Sequence, residues 1–415
     1  MKTIKAIIGA NYGDEGKGLL TRYFAIKEKN PVIILYHGSV NRGASIEKQN
    51  EFNFQTLSFG AGVLDNVPTF FAQNFIISPI IFANEYRKLL NFNKQLGQIY
   101  VDLNCGVITP IDIILDQLRV INLKNQNIPI SSCCAGNRSY VLRKQNGIDF
   151  KYKDFLNGNP IEICNYIFNN WFYKALNLWD IKEIPDSYAK YKAIAPNIIG
   201  GFYEQFICFN EIINFFKSHT IISDFDNIYN KFDTLIFESS VGLKMTMTNT
   251  EQLNATQSTV GLKEAMKLLE PYKDYTGEAC YVTRSYLTKH GGGNFPEETD
   301  KFCFYDDMNT DNQWQGKRRF GILNYEESFN RCNNDFKNAN KNWKKTYAIT
   351  HINEIPVEEK YERYFNYFSN TKYAEDIYEN NGTLWKWHRL FFKNRKFWKH
   401  IFICCTILIW LFILK

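Results

Sequence analysis

The sequence lacks the cysteine spacing of a zinc site or a disulfide framework. Its ten cysteines include the adjacent pairs 133–134 and 404–405, and none of them forms a C-x-x-C motif. We also expect no secretory signal, because residues 1–9 are typical of a buried strand. We therefore expect a reducing, intracellular compartment.

A stripe of basic residues is also missing from the first 380 residues. The formal net charge is +6, from 49 Lys and Arg against 43 Asp and Glu, which argues against a nucleic-acid-binding protein and suits anionic substrates. Hydrophobic residues make up 45% of the chain and charged residues 22%, so the composition is globular.

Internal repeats and Gly/Ser linkers are likewise absent from the 415 residues. We therefore predict one large domain over residues 1–390, with a helical insertion around 145–230, where apolar periodicity is weak. Residues 391–415 are predicted to be a separate basic and hydrophobic tail.

The tail contains an uncharged run at 401–414 that is shorter than the ~20 residues a membrane-spanning helix needs. The run fits a C-terminal core helix, and the basic residues before it also fit a short membrane anchor. We expect a cytoplasmic protein, with membrane association through the tail as the open alternative.

The first 45 residues have the order of a parallel α/β unit. An apolar strand at 3–8 is followed by a glycine-containing turn, a helix at 19–27 and a β-branched strand at 31–36. Further helices are predicted after Pro79 and at 111–122, and further strands at 234–238, 281–287 and 346–349. This pattern predicts an α/β fold with a large, mostly parallel central sheet flanked by helices.

The turn after the first strand has the composition of a phosphate-binding loop. Glycines let the backbone N–H groups approach an anion at the start of a helix, and Lys17 adds a cation. The loop is not a Walker A motif, because Lys17 is followed by Gly18. Asp14 and Glu15 would repel phosphate unless they bind Mg²⁺ or take a proton from the substrate. The turn therefore predicts metal-assisted or acid–base chemistry on a nucleotide.

Six motifs in order resemble those of the adenylosuccinate synthetase family. They are GDEGKG at 13–18, HGSVNRGAS at 37–45, FESSVG at 237–242, ATQST at 255–259, VTRSYLTKHGGGNFP at 282–296 and QGKRRFG at 315–321. The resemblance implies a fold related to P-loop NTPases. It also implies a homodimeric C–N ligase that joins L-aspartate to the 6-position of IMP or dGMP through a 6-phosphoryl intermediate, with hydrolysis of GTP or ATP and Mg²⁺ as cofactor.

The resemblance also assigns roles to residues. Asp14 is the catalytic base that removes the purine N1 proton, Lys17 neutralises phosphate charge, and Asp14 with the Gly43 carbonyl holds Mg²⁺. Aspartate is bound by Lys317, Arg318 and Arg319. Arg143 matches an arginine that the family lends across a dimer interface, whereas Ser132 also fits a turn-forming role. The residues expected to contact nucleotide or phosphate are Gly13, Glu15, Gly16, Gly18, Asn41, Ser45, Ser132, Arg143, Thr259 and Asn353.

The sequence departs from the family pattern at several positions. Ala44 stands where the family has a general-acid histidine, Val241 where it has a glutamine, and Asn353 where it has the acidic residue that binds guanine. Segments 59–62, 312–316 and 348–351 resemble the phage-type 2-aminoadenylosuccinate synthetases, some of which act on dGMP. The alternatives are therefore a weak or inactive nucleotide-binding paralogue, which could be tethered to a membrane, or an ordinary P-loop NTPase.

Overall fold

The computed structural model describes residues 1–40, 42–92, 95–128, 132–184, 208–246, 260–306 and 314–380. The predicted sites at Asn41 and Thr259, and the whole tail at 391–415, lie outside these residues. Within the part of the chain that is described, none of the helices combines the length and hydropathy needed to cross a bilayer.

Sixteen β-strands occur in the described residues. They are β1 (Lys2–Gly9), β2 (Pro31–Leu35), β3 (Ala44–Lys48), β4 (Phe52–Thr56), β5 (Thr69–Phe71), β6 (Ile76–Ile77), β7 (Ile99–Val101), β8 (Gly106–Val107), β9 (Ile221–Ile222), β10 (Thr234–Gly242), β11 (Tyr275–Arg284), β12 (Leu287–His290), β13 (Arg318–Gly321), β14 (Trp343–Thr350), β15 (Tyr367–Phe368) and β16 (Tyr378–Glu379).

Twelve α-helices occur in the same residues. They are α1 (Lys17–Lys27), α2 (Pro79–Leu89), α3 (Pro110–Asn125), α4 (Asn137–Gln145), α5 (Tyr152–Asn157), α6 (Pro160–Ile167), α7 (Tyr173–Leu178), α8 (Phe209–Ser218), α9 (Phe225–Lys231), α10 (Leu262–Leu269), α11 (Tyr325–Phe336) and α12 (Glu359–Glu362). A π-helical turn at Phe168–Phe172 joins α6 to α7.

Ten of the strands form one central sheet in the order β16-β15-β14-β11-β1-β10-β2-β5-β7-β9. Each neighbouring pair is parallel except β15 and β16, which are antiparallel at one edge. The prediction of a large, mostly parallel sheet flanked by helices is therefore confirmed.

The central strands are apolar on both faces because helices cover both sides of the sheet. Side chains alternate along each strand, so Ile7 and Ile33 enter one hydrophobic cluster while Ile8 and Ile34 enter a second cluster on the opposite face. All four side chains are fully buried. This two-sided burial explains why strands β1 and β2 could be predicted from short apolar runs.

Two predicted elements differ from the structure. The segment predicted as one strand at 281–287 contains the end of β11 and the start of β12, because the chain leaves the central sheet at residues 285–286. The described part of the predicted insertion at 145–230 is mainly helical, but β9 within it pairs in parallel with β7 at the edge of the sheet. Part of this segment therefore completes the central sheet.

The carboxyl ends of the central strands meet at one edge of the sheet. The last residue of β1, Gly9, is opposite Val282 of β11 and Gly242 of β10. The loops that follow these strands therefore lie next to one another, which is where open α/β sheets bind their ligands.

Arg143 is buried where it connects α4 to the start of α3. Its guanidinium is paired with the Asp112 carboxylate, with Nε–Oδ1 2.9 Å and Nη2–Oδ2 3.1 Å. The same group donates to the carbonyls of Ile148 and Val107 at 2.9 and 2.8 Å, and both charged side chains have 0% exposure. The expectation that Arg143 reaches a nucleotide across a dimer interface is therefore corrected: its donors are used inside its own subunit.

We predict that Arg143→Ala destabilises the fold, because it leaves the Asp112 carboxylate buried without its cation. The expected loss in the free energy of unfolding is about 3–5 kcal/mol, measured by urea denaturation. Lys88→Ala, on the exposed face of α2, is the control and should change stability little. A variant of Arg143 with normal stability and weakened nucleotide binding would contradict this assignment.

Candidate active site

The loop between β1 and α1 is organised by the buried carboxylate of Glu15. One oxygen accepts the backbone N–H groups of Asn11 and Gly13 at 3.0 and 2.9 Å, and the other accepts Lys17 Nζ at 2.8 Å. Gly9 and Gly242 lie against this carboxylate, and a Cβ atom at either glycine would collide with it. Glu15, predicted to contact phosphate, is 3% exposed and instead fixes the shape of the loop.

Asp14 lies in this loop, next to Glu15. Its φ of 56° is in the left-handed region, which aspartate tolerates better than most residues, and its neighbour Gly13 has a φ of 124°. The Asp14 carbonyl accepts a hydrogen bond from Arg284 Nε. Its carboxylate is 31% exposed, and Oδ2 lies 3.2 Å from Nε2 of His290.

The electrostatic surroundings keep the Asp14 carboxylate ionised. Burial alone would raise its pKa, but the hydrogen bond from His290 and the charges of His290, Arg284 and Lys17 outweigh that effect. The net result is a pKa below the ordinary aspartate value. The Asp14 carboxylate is therefore ionised at neutral pH.

A cavity of ≈ 390 Å³ opens beside this loop. It brings together seven of the residues predicted from the sequence, namely Asp14, Gly16, Lys17, Gly18, Gly43, Ser45 and Asn353. The start of α1 forms one wall, and the β3–β4 hairpin forms another through Glu47 and Gln55. This arrangement places backbone N–H groups, a lysine and a carboxylate around one space that can accept a nucleoside triphosphate.

The cavity lining also includes groups that were not predicted from the sequence. Among them are Arg284 at the end of β11, Asp306, His351 after β14, and the segment 370–372. Arg284 Nη2 and Arg318 Nη1 contact the same oxygen of Asp306, at 3.2 and 3.0 Å. Arg284 and His351 could have been found from their positions at the carboxyl ends of the parallel strands β11 and β14. The pairing with Asp306 could not, because it involves distant parts of the chain.

His351 and segment 370–372 form another side of the cavity. They follow strands β14 and β15, which lie beyond β11 in the sheet. Burial, followed by the charges of Arg284 and Arg318, lowers the pKa of His351 well below its ordinary value. Lys372 Nζ pairs with Glu47 Oε2 at 2.5 Å, which joins this segment to β3. Segment 370–372 therefore forms a wall of the cavity, although no sequence motif predicted it.

The three cationic residues predicted to bind aspartate are divided between two places. Strand β13 pairs with β12, which places Arg318 opposite His290 and Arg319 opposite Lys289. Arg318 contacts Asp306 and the Phe304 carbonyl beside the nucleotide cavity. Side chains alternate along a strand, so the neighbouring arginine is directed elsewhere.

Lys317 and Arg319 line a second cavity of ≈ 390 Å³ with glycines 291–293. Arg319 Nη1 donates to the carbonyls of Gly291 and Gly293 at 3.0 and 2.9 Å, and its Nε donates to Glu298 at 2.6 Å. This second cavity therefore has two cationic side chains in its lining.

Ser132 has a local role in the structure. Its Oγ accepts the backbone N–H of Cys134 at 3.2 Å, which is the turn-forming role that the sequence left as an alternative. Ala44, by contrast, lines the nucleotide cavity and packs closely against α1: a Cβ atom on Gly18 would lie 2.8 Å from the Ala44 Cβ.

The residues expected to hold Mg²⁺ fit that ion chemically. Asp14 and Gly43 both line the nucleotide cavity and offer a carboxylate and a carbonyl, the hard oxygen donors that Mg²⁺ prefers. Among the described residues, no group of three His, Cys, Asp or Glu side chains could hold a metal by itself. Binding of Mg²⁺ here would therefore depend on phosphate oxygens as further ligands.

His37, in the loop after β2, is enclosed by the end of β10. Its Nε2 lies 3.1 Å from Ser239 Oγ and its Nδ1 lies 3.2 Å from Ser240 Oγ. Burial, reinforced by the charges of Lys17 and Arg42, lowers the pKa of His37 to about 3. The ring is therefore neutral at physiological pH, and it holds the loop after β2 against the end of β10.

The family described as adenylosuccinate synthetase matches residues 6–325, which is more than half of the chain. The adenylosuccinate synthetase of Mycoplasma mycoides is 26% identical over 230 residues, covering 53% of this chain and 52% of that protein. The enzyme of the same name from Blochmanniella floridana is 23% identical over 296 residues, covering 70% and 64%. The chain thus spans between half and two thirds of the length of these curated relatives.

Two solved structures share the fold. The fully ligated adenylosuccinate synthetase of Plasmodium falciparum aligns with a TM-score of 0.57 and 18% identity, over 85% of this chain and 77% of that one. The succinoaminodeoxyadenylate synthetase of cyanophage S-2L aligns with a TM-score of 0.54 and 12% identity, over 91% and 95%. At these identities the likeness establishes the architecture.

We predict that acidification destabilises the fold through His37. The folded state keeps the ring neutral down to a pKa of about 3, whereas the unfolded chain binds a proton near the ordinary value of 6.5. Between these values the unfolded state binds more protons, so the free energy of unfolding falls by about 1.4 kcal/mol per pH unit as the pH decreases. His37→Gln should flatten this slope in urea unfolding measured between about pH 6.5 and 5. Parallel curves for the two proteins would contradict the assignment.

Proposed function

We propose, from the premise that this chain belongs to the adenylosuccinate synthetase family, that it is a C–N ligase. It would join L-aspartate to the 6-position of a purine nucleoside monophosphate, IMP or dGMP, with hydrolysis of a nucleoside triphosphate. The observation that carries this proposal is the meeting of Asp14 and Lys17 at one nucleotide-sized cavity.

The first step of the proposed reaction is phosphoryl transfer to the purine. Asp14 takes the proton from purine N1, the electron pair moves onto O6, and O6 attacks the γ-phosphorus while the nucleoside diphosphate leaves. Lys17, which is buried beside Glu15, would neutralise charge on the transferring phosphate. Mg²⁺ held by Asp14 and Gly43 would supply further charge neutralisation.

In the second step, the amine of aspartate attacks C6 and inorganic phosphate leaves. The two aspartate carboxylates need cations, and Lys317 and Arg319 provide them at the second cavity beside glycines 291–293. Arg318 contributes indirectly, because Asp306 connects it to Arg284 and therefore to the loop that carries Asp14.

The setting that we propose for this activity is purine biosynthesis in the cytoplasm. A homodimer remains part of the proposal through family resemblance alone, since Arg143 is used within its own subunit. Membrane contact through residues 401–414 also stays a proposal, because that segment lies outside the described residues.

A second candidate function, a weakly active or inactive nucleotide-binding protein, is favoured by one observation. Ala44 lines the cavity at the position where the family has its general acid, and a methyl group cannot transfer a proton. The loss of such a group costs ~10²–10⁴-fold in rate. Val241, at the end of β10, also stands where the family has a hydrogen-bonding glutamine.

We predict aspartate-dependent phosphate release when IMP or dGMP, a nucleoside triphosphate and Mg²⁺ are supplied together. Asp14→Asn should lower that rate by ~10²–10⁴-fold, because the amide cannot accept the N1 proton. Asp180→Asn, on an aspartate whose side chain is 73% exposed, is the matched control and should keep full activity. Nucleotide binding by calorimetry without any turnover would favour the second candidate instead.

We also predict that adenine nucleotides are better donors than guanine nucleotides. Asn353 lines the cavity, and its amide can donate and accept one hydrogen bond with adenine, whereas guanine presents two donors that a carboxylate would match. The cyanophage S-2L enzyme, whose structure is bound to dGMP and to dATP as an energy donor, supports such a choice. Asn353→Asp should shift the ratio of kcat/KM values towards GTP by roughly 10-fold or more, the equivalent of one base-specific contact.

The matched control for this donor experiment is Asn177→Asp, at an exposed position on α7. It should leave the donor ratio unchanged. A wild-type protein that prefers GTP, or an Asn353→Asp variant with an unaltered ratio, would show that Asn353 does not determine donor specificity.

A further inference from the structure

His290 lies directly behind Asp14. It is the last residue of β12, immediately before the glycine turn at 291–293, and its side chain is 9% exposed. Its Nε2 is 3.2 Å from Asp14 Oδ2, and its other ring nitrogen, Nδ1, is buried. The ring therefore contacts the carboxylate from the protein side and cannot present its other nitrogen to a substrate.

The position of Asp14 makes this contact important. Asp14 is held in the left-handed region of φ, and Arg284 fixes its carbonyl, but these constraints act on the backbone. Its side chain has two further torsions, and the carboxylate projects into an open cavity. A hydrogen bond to one oxygen defines the plane of the carboxylate and hence the direction in which it can accept a proton.

We propose that His290 is a positioning residue for Asp14. The inference rests on the proposed ligase function, and it says that Nε2–H holds the Asp14 carboxylate in the orientation needed to take the purine N1 proton. His290 acts through the general base, Asp14, and does not replace the general-acid histidine that the family has at the position of Ala44. Its effect is on orientation, and small errors in the placement of a catalytic group cost large factors in rate.

The anchoring of β12 suits such a role. This strand pairs with β13 through four residue pairs, from Leu287–Gly321 to His290–Arg318. Lys289 Nζ donates to the Gly292 carbonyl at 2.6 Å, which fixes the turn that follows. His290 is therefore on the end of a strand that is fixed by its pairing, whereas Asp14 is on a loop. A side chain on a rigid element can hold a less constrained side chain in one orientation.

The test compares two substitutions of His290. His290→Gln keeps an N–H donor near the position of Nε2, and His290→Phe keeps an aromatic ring without a donor. We expect His290→Phe to lower kcat by ~10–100-fold, with KM for aspartate within about 3-fold of the wild type, and His290→Gln to restore most of kcat. Equal losses in the two variants, an unchanged kcat in His290→Phe, or an effect confined to KM would overturn the proposal.

A second measurement separates this inference from the proposed function. In urea unfolding, the destabilisation caused by His290→Phe should largely disappear in an Asp14→Ala background, because the two side chains are coupled. Additive effects would overturn the pairing whether or not the protein turns over substrate. The two side chains could prove to be coupled while the wild-type protein shows no aspartate-dependent phosphate release. That result would overturn the ligase function and the catalytic role of His290, and it would leave the contact between His290 and Asp14 established.

Discussion

A buried carboxylate, Glu15, holds the loop between β1 and α1 in the shape that the rest of the site requires. It accepts two backbone N–H groups of its own loop and the Lys17 ammonium, in a space that exists because Gly9 and Gly242 have no side chains. A charge in so enclosed a place is stable only when it is paired and hydrogen-bonded. The same contacts therefore place Lys17 at the cavity wall beside Asp14, one of the acidic residues that line that cavity.

The parallel sheet converts this local geometry into a shared site. Gly9 is in register with Val282 and Gly242, so the loop that contains Asp14 lies beside the end of β11. Arg284 can therefore donate a hydrogen bond to the Asp14 carbonyl. Asp306 then links Arg284 to Arg318. Through these contacts, strand β13 is connected physically to the loop between β1 and α1.

The sequence predicted what depends on local pattern. Buried β-branched runs indicated the parallel sheet, and the glycines around Asp14 and Lys17 indicated the phosphate loop. It did not predict contacts between residues far apart in the chain. The burial of Arg143 depends on Asp112, 31 residues away, and the approach of His290 to Asp14 depends on how β12 turns back after leaving the sheet. The division of Arg318 from Arg319 follows from strand pairing, which a run of basic letters does not reveal.

The proposed reaction begins when Asp14 takes the purine N1 proton, so that O6 attacks the γ-phosphorus of a nucleoside triphosphate. The most direct measurement follows an isotopically labelled oxygen in the bridge between the β- and γ-phosphates, with Mg²⁺ and IMP or dGMP present and aspartate omitted. If O6 attacks the γ-phosphorus in this way, the label moves to non-bridging positions only when the purine monophosphate is present, and Asp14→Asn abolishes the movement. A label that stays in the bridge, or that moves equally without the purine, would show that Asp14 does not activate O6.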